Sequence, residues 1–133
     1  MVLITGGKYQ GKREFAENIL KIPQEKIIDD LNEKVMENVR KETAPEELVE
    51  SVRAEGAPEE PVENVRSKSA LEELIEGIPE DSAVIIDETG CGIIPADPIE
   101  REYREMMGRI GCLLSERAES VYRVAAGLGL QLK

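Results

Sequence analysis

The chain opens MVLITGGKYQGKR, an apolar run of Val2, Leu3 and Ile4 carried straight into a glycine-rich turn that ends on Lys12. Such a run, bounded by glycines, reads as a short buried strand, and the residues from Gly11 to Lys21 place Phe15, Ile19 and Leu20 on one side of a following helix. Strand, glycine turn, lysine and helix together are the layout of a phosphate-cradling P-loop. Glycines reach φ > 0 and turn backbone N–H groups inward, while the lysine brings a cation to where a β- or γ-phosphate lies. Gly6, Gly7, Lys8, Tyr9, Gln10, Gly11, Lys12 and Arg13 are therefore the candidate nucleotide contacts, and Lys12 is also a candidate catalytic residue. One position departs from the full pattern. Arg13 stands where a Ser or Thr hydroxyl ordinarily holds Mg²⁺, and a guanidinium has only donors.

Charge and composition narrow the function classes. A net charge of −11 over 133 residues repels nucleic-acid backbones and anionic lipid surfaces, so the basic loop is a local exception suited to a small anionic ligand. The length suits one domain, with a core but little room for a second. No apolar stretch approaches the roughly 20 residues that cross a bilayer, and the N-terminus lacks the layout of a signal peptide, which gives the expectation of a cytoplasmic protein. Histidine is absent, which removes Ser-His-Asp and Cys-His nucleophiles, His-ligated metals and any phosphohistidine or nucleotidyl-histidine intermediate. Cys91 and Cys112 stand in no metal-ligand spacing and read as reduced thiols.

Further along, Lys26 to Asp29 reads as a short strand closed by an acid pair, with a helix from Leu31 to Lys41. Asp29 is open to two readings: a Mg²⁺-coordinating carboxylate at a strand end beside the loop, or, with Asp30, a cap for the next helix. Residues 43–67 form an acidic, proline-containing excursion with two near echoes, PEELVESVR and PEEPVENVR, read either as a helical lid or as a solvated loop. An amphipathic helix resumes over 69–77. Ala83 to Ile86 is the clearest buried strand, and Asp87 and Glu88 follow it. Asp97-Pro98-Ile99-Glu100 combines a cap acid, a proline at the first helical position and a glutamate at the third, which starts a long helix running to about Ala118. Its apolar stripe is Tyr103, Met106, Met107, Ile110, Leu113 and Leu114, and its internal Gly108 and Gly111 predict close backbone packing against the sheet or a neighbouring subunit. Residues 120–126 and 128–132 read as a closing strand pair around Gly127. Strands alternating with helices predict an α/β protein with a mostly parallel sheet and a terminal antiparallel pair.

At both ends the sequence resembles the adenosylcobinamide kinase / adenosylcobinamide-phosphate guanylyltransferase family. LITGGKYQGK is similar to the family's strand and P-loop, and the run from VIIDETGCGIIP through EREYREMMGRIGCLLSERA to GLGLQLK is similar to its second motif, long helix and final strands. The resemblance implies a three-layer P-loop NTPase-like fold and phosphorylation of the aminopropanol hydroxyl of adenosylcobinamide by ATP or GTP with Mg²⁺. It also implies a homo-oligomer, in the family often a trimer. Gly6, Gly7, Gly11 and Lys12 fall on the P-loop, and Glu88, Gly90, Gly92 and Pro95 on the second motif; Glu88 is then the residue to orient or deprotonate the acceptor hydroxyl, unless it only braces the Gly90–Gly92 loop. Asp29 and Asp87 are the candidate metal carboxylates. The segment that carries the family's guanylylated histidine has no counterpart here, so the expected protein is a kinase without the second activity, or a nucleotide-binding partner with a degenerate loop.

Overall fold

Val2–Gly6 forms the central strand β1 because its side chains are buried alternately against two helical layers, leaving no face for water. The computed structural model describes residues 1–43, 70–90 and 92–133. After β1 come α1 (Lys12–Glu14), continued by a π-helical turn at Phe15–Ile19, the short strand β2 (Ile27–Ile28) and α2 (Leu31–Thr43). A helical stretch at 70–76, α3, precedes β3 (Ala83–Asp87). The long helix α4 (Pro98–Arg117) then leads to the hairpin strands β4 (Ser120–Ala125) and β5 (Leu128–Gln131). The strands lie in the order β2-β3-β1-β4-β5, parallel except for the β4–β5 pair, as expected from the alternation of strands and helices.

The two faces of this sheet are covered by connections that run in opposite directions. The chain leaves β1 through α1, passes over β3 and enters β2; it leaves β3 through α4, passes over β1 and enters β4. Right-handed crossovers of opposite sense must lie on opposite faces. Phe15 and Ala16 accordingly pack with Ile4, Ile85 and Val124 on one face. On the other, Val35 and Val39 of α2, Leu71 and Ile75 of α3, and Met107, Ile110 and Leu114 of α4 pack with Leu3, Val84, Ile86 and Val121. The adjacent strands β1 and β3 thus send their chains to opposite sides, which opens a crevice at their carboxyl ends. Ligands of open α/β sheets bind at such a switch point.

Several local expectations need correction. The helix after the loop widens into a π-turn at Phe15–Ile19, which rotates Ile19 out to 65% exposure while Phe15 stays buried, 5.4 Å from the ring of Tyr122. The strand expected over Lys26–Asp29 is only Ile27–Ile28, because 24–26 form a 3₁₀ turn after Pro23 and the pairing with β3 covers two residues. Lys26 donates instead to Asp81 at 3.0 Å, and that hydrogen bond and charge hold the Asp81 carboxyl below its ordinary value. Leu113 lies on the outer side of α4, 41% exposed. Among the described residues a Cβ on Gly108 would meet nothing within 4 Å, so no packing on the sheet accounts for that glycine, while one on Gly111 would stand 3.6 Å from Ile86 Cδ1 of the sheet. The acidic excursion and its two echoes, after Thr43, lie outside the described residues, as does Cys91.

Asp97 caps α4 as its sequence context requires. Its Oδ1 accepts from the Ile99 amide at 3.0 Å, and Pro98 occupies the first helical position. Replacing Asp97 by Ala is expected to cost about 1 kcal/mol in chemical denaturation, with Asp97→Asn close to the parent.

Candidate phosphate-binding site

Two elements set the loop geometry. Gly6, the last residue of β1, has φ +153°, and a Cβ there would stand 2.3 Å from the Val124 carbonyl oxygen, so the loop leaves the sheet pressed against β4. At the far end Gly11 takes φ +87° directly before Lys12, the first residue of α1. Between them the loop is tied to the β4–β5 turn: Gln10 Oε1 accepts from the Ala126 amide at 2.7 Å, and the Gln10 carbonyl from the Gly127 amide at 2.8 Å. A segment rich in glycine is thereby held in one shape by a hairpin more than a hundred residues away in sequence.

Lys12 is 6% exposed and points back beneath the loop. Its ammonium donates to the carbonyls of Gly6 (3.2 Å) and Gly7, and pairs with Asp87 Oδ1 at 2.7 Å. Asp87 ends β3 directly beside Gly6 in register, so the switch-point crevice is the place where cation and carboxylate meet. Asn32 fixes Asp87 from behind: its Oδ1 accepts from the Asp87 amide at 2.9 Å, and its Nδ2 donates to the Asp87 carbonyl at 3.3 Å and to Tyr103 Oη at 2.8 Å.

The other candidate residues surround the same space. A cavity of about 540 Å³ is lined by Lys8, Tyr9, Gln10, Gly11, Lys12, Arg13, Glu14, Asp29, Ile85 and Asp87. Arg13 pairs with Asp29 and, at 3.1 Å, with Glu17. The hydrogen bond it donates to Glu17 and the charge of Asp29 raise its pKa above the ordinary guanidinium value. Tyr9 is fully exposed at φ 59°, leaving its ring free to lie against a flat ligand. Glu88 stands outside this cavity, on the other side of Asp87, with its two oxygens accepting from Arg123 Nε (2.8 Å) and Nη2 (3.0 Å). A carboxylate offers about four lone-pair sites, so capacity remains for a further donor.

A divalent cation fits the donor set in part. Mg²⁺ is held in phosphoryl-transfer sites by one or two carboxylates, waters and the phosphates themselves. Of the three carboxylates on the cavity wall, Glu14, Asp29 and Asp87, the last two are each paired with a cation of the site, Arg13 and Lys12; among the described residues no three His, Cys, Asp or Glu converge as a ready-made metal cage. Lys8, Lys12 and Arg13 are matched on the cavity wall by Glu14, Asp29 and Asp87. A polyphosphate entering alone finds no net positive charge there, and a divalent cation would supply the missing neutralisation.

Nothing in the sequence pointed to Asn32 or Arg123, and Gln10, expected as a nucleotide contact, also ties the loop to the last hairpin. Each acts through a partner distant along the chain, and only Gln10 lay within a recognisable motif.

A mostly parallel sheet whose first strand runs through a glycine loop to a buried lysine, with a strand-end acid beside it, defines a P-loop-type α/β protein. The chain belongs to the cobinamide kinase / cobinamide phosphate guanyltransferase family, whose model matches residues 27–132. That span begins after the glycine loop, so the reading of the loop stands on its own geometry. The chain is also 31% identical over 55 residues to the bifunctional adenosylcobalamin biosynthesis protein CobU of Salmonella typhimurium, and equally to that of Escherichia coli K12. Each match covers 41% of this chain and 30% of the relative. Among the described residues no helix is long and apolar enough to cross a membrane.

Proposed function

We propose that this protein is a nucleoside-triphosphate-dependent adenosylcobinamide kinase that lacks the histidine-dependent guanylyltransferase step. The observation that carries the reading is the Lys12 ammonium, buried beneath the loop and 2.7 Å from the strand-end carboxylate of Asp87. ATP or GTP lies with its phosphates along residues 6–13, and Lys12 exchanges its loop carbonyls for phosphate oxygens. Asp87 and Asp29 would hold Mg²⁺, which would supply charge neutralisation on the triphosphate. The aminopropanol hydroxyl oxygen forms a bond to the γ-phosphorus as the bond from that phosphorus to the β–γ bridging oxygen breaks; the nucleoside diphosphate leaves with the electron pair. Glu88 accepts the hydroxyl proton or holds the hydroxyl in line. Such transfer depends on positioning and on charge stabilisation more than on covalent chemistry. The absence of histidine from these 133 residues supports a single activity, since a nucleotidyl-histidine cannot form on them.

A discontinuous assay following cobinamide phosphate from ATP or GTP with Mg²⁺ tests this directly, and no product with either nucleotide would sink it. Arg13 favours a second reading, a non-catalytic nucleotide-binding partner, because its guanidinium occupies Asp29 and Glu17 where a metal-binding hydroxyl is ordinarily found. Arg13→Ser separates the two. The kinase reading expects turnover by the parent and a change of no more than about tenfold in the variant, whereas turnover gained only in the variant identifies the parent as the degenerate form.

A further inference from the structure

A second cavity, of about 580 Å³, lies on the opposite face of the sheet and shares Asp87 with the loop cavity. Leu3, Ile86 and Met107 form its apolar side, α4 contributes Gly108 and Cys112, and Glu88 stands at its polar end. We propose that this cavity is the acceptor pocket, receiving an uncharged, hydroxyl-bearing arm of an organic acceptor whose oxygen reaches Glu88; the assignment rests on the kinase reading for its chemistry.

Three observations support it. The crevice between the carboxyl ends of β1 and β3 opens to both faces, so a donor on the α1 side and an acceptor on the α4 side meet at Asp87 without competing for space. Glu88 is fixed at that junction by a two-point pairing with Arg123 and by its own amide, which donates to the Gly6 carbonyl at 2.9 Å. Its position is thereby coupled to the first residue of the phosphate loop. Gly108 of α4 also leaves this space vacant: among the described residues nothing stands within 4 Å of where its side chain would begin. Glycine within a helix is unfavourable, and no described side chain fills the space beside Gly108. An open, largely apolar wall, with Asp87 and Glu88 balanced in part by Arg104, which donates to the Ile93 carbonyl, suits a neutral alcohol.

Gly108→Leu fills the pocket from a helical position where the new side chain has room. With cobinamide as the acceptor, the KM for cobinamide should rise by about tenfold or more while the dissociation constant of the nucleotide stays within about twofold. Cys112 gives a readout independent of turnover, because it is a free, exposed thiol on the pocket wall. Cobinamide alone should slow its alkylation by iodoacetamide, followed by peptide mass, in the parent but not in Gly108→Leu; ATP alone should not. Unprotected Cys112 in the parent, or a variant indistinguishable from it in both KM and protection, overturns the pocket. Protection without any phosphorylated product leaves the pocket standing and removes the kinase reading instead.

Discussion

Lys12→Ala is expected to abolish measurable phosphoryl transfer, lowering kcat/KM by about 10²–10³-fold or more, the loss that follows removal of one preorganised cation or donor from a developing charge. The ammonium sits under the loop with two main-chain carbonyls and one carboxylate as partners, all of which it can exchange for phosphate oxygens without moving the backbone. Lys12→Met retains the aliphatic stem and should lose activity nearly as fully, which assigns the effect to charge and not to packing. Lys12→Arg should not rescue, since a planar fork does not fit where a compact ammonium meets three oxygens. Steady-state kinetics together with isothermal titration of the nucleotide check all three variants. Retention of parental turnover in Lys12→Ala would show that the loop is not the donor site.

Gly6→Ala is expected to be strongly destabilising. The added carbon would stand 2.3 Å from the Val124 carbonyl oxygen, at a backbone φ of +153° that L-residues rarely adopt. Neither obstacle yields cheaply, because the carbonyl belongs to a paired strand. A cost of about 2–4 kcal/mol follows, read as a fall in Tm of roughly 10 °C. Gly90→Ala is the matched control: among the described residues a Cβ there meets nothing within 4 Å, and its stability should stay within about 0.5 kcal/mol of the parent. Equal melting of Gly6→Ala and Gly90→Ala would mean that the loop and hairpin are not in the contact described.

Much of the architecture was legible in local sequence because it is a local matter. Apolar runs at Val2–Ile4 and Ala83–Ile86, short and bounded by turn residues, read as strands covered on both faces, and the Asp97–Glu100 signature marks the start of a helix. Expectations failed where a neighbour in space decided the outcome. Ile19 satisfies a helical period but faces water, since the π-turn spreads the following residues by more than a regular turn. Gly108 and Gly111 read as close contacts with the sheet or a second subunit; both line a cavity, and of the two only Gly111 lies at contact distance of a sheet side chain, Ile86.

By itself, then, the order of residues determined that there is a strand–glycine–lysine unit, an α/β alternation and a chemistry without histidine, for these depend on backbone freedom, side-chain period and composition. Tertiary structure alone decided that Asp87 stands beside Lys12, that Arg123 grips Glu88, that Gln10 anchors the loop to the last hairpin, and that Asp29 faces Arg13. The reason is physical: strand order and crossover direction bring together residues as far apart as Gln10 and Ala126, and no pattern along one stretch of chain encodes which distant partner a charged or hydrogen-bonding group will meet.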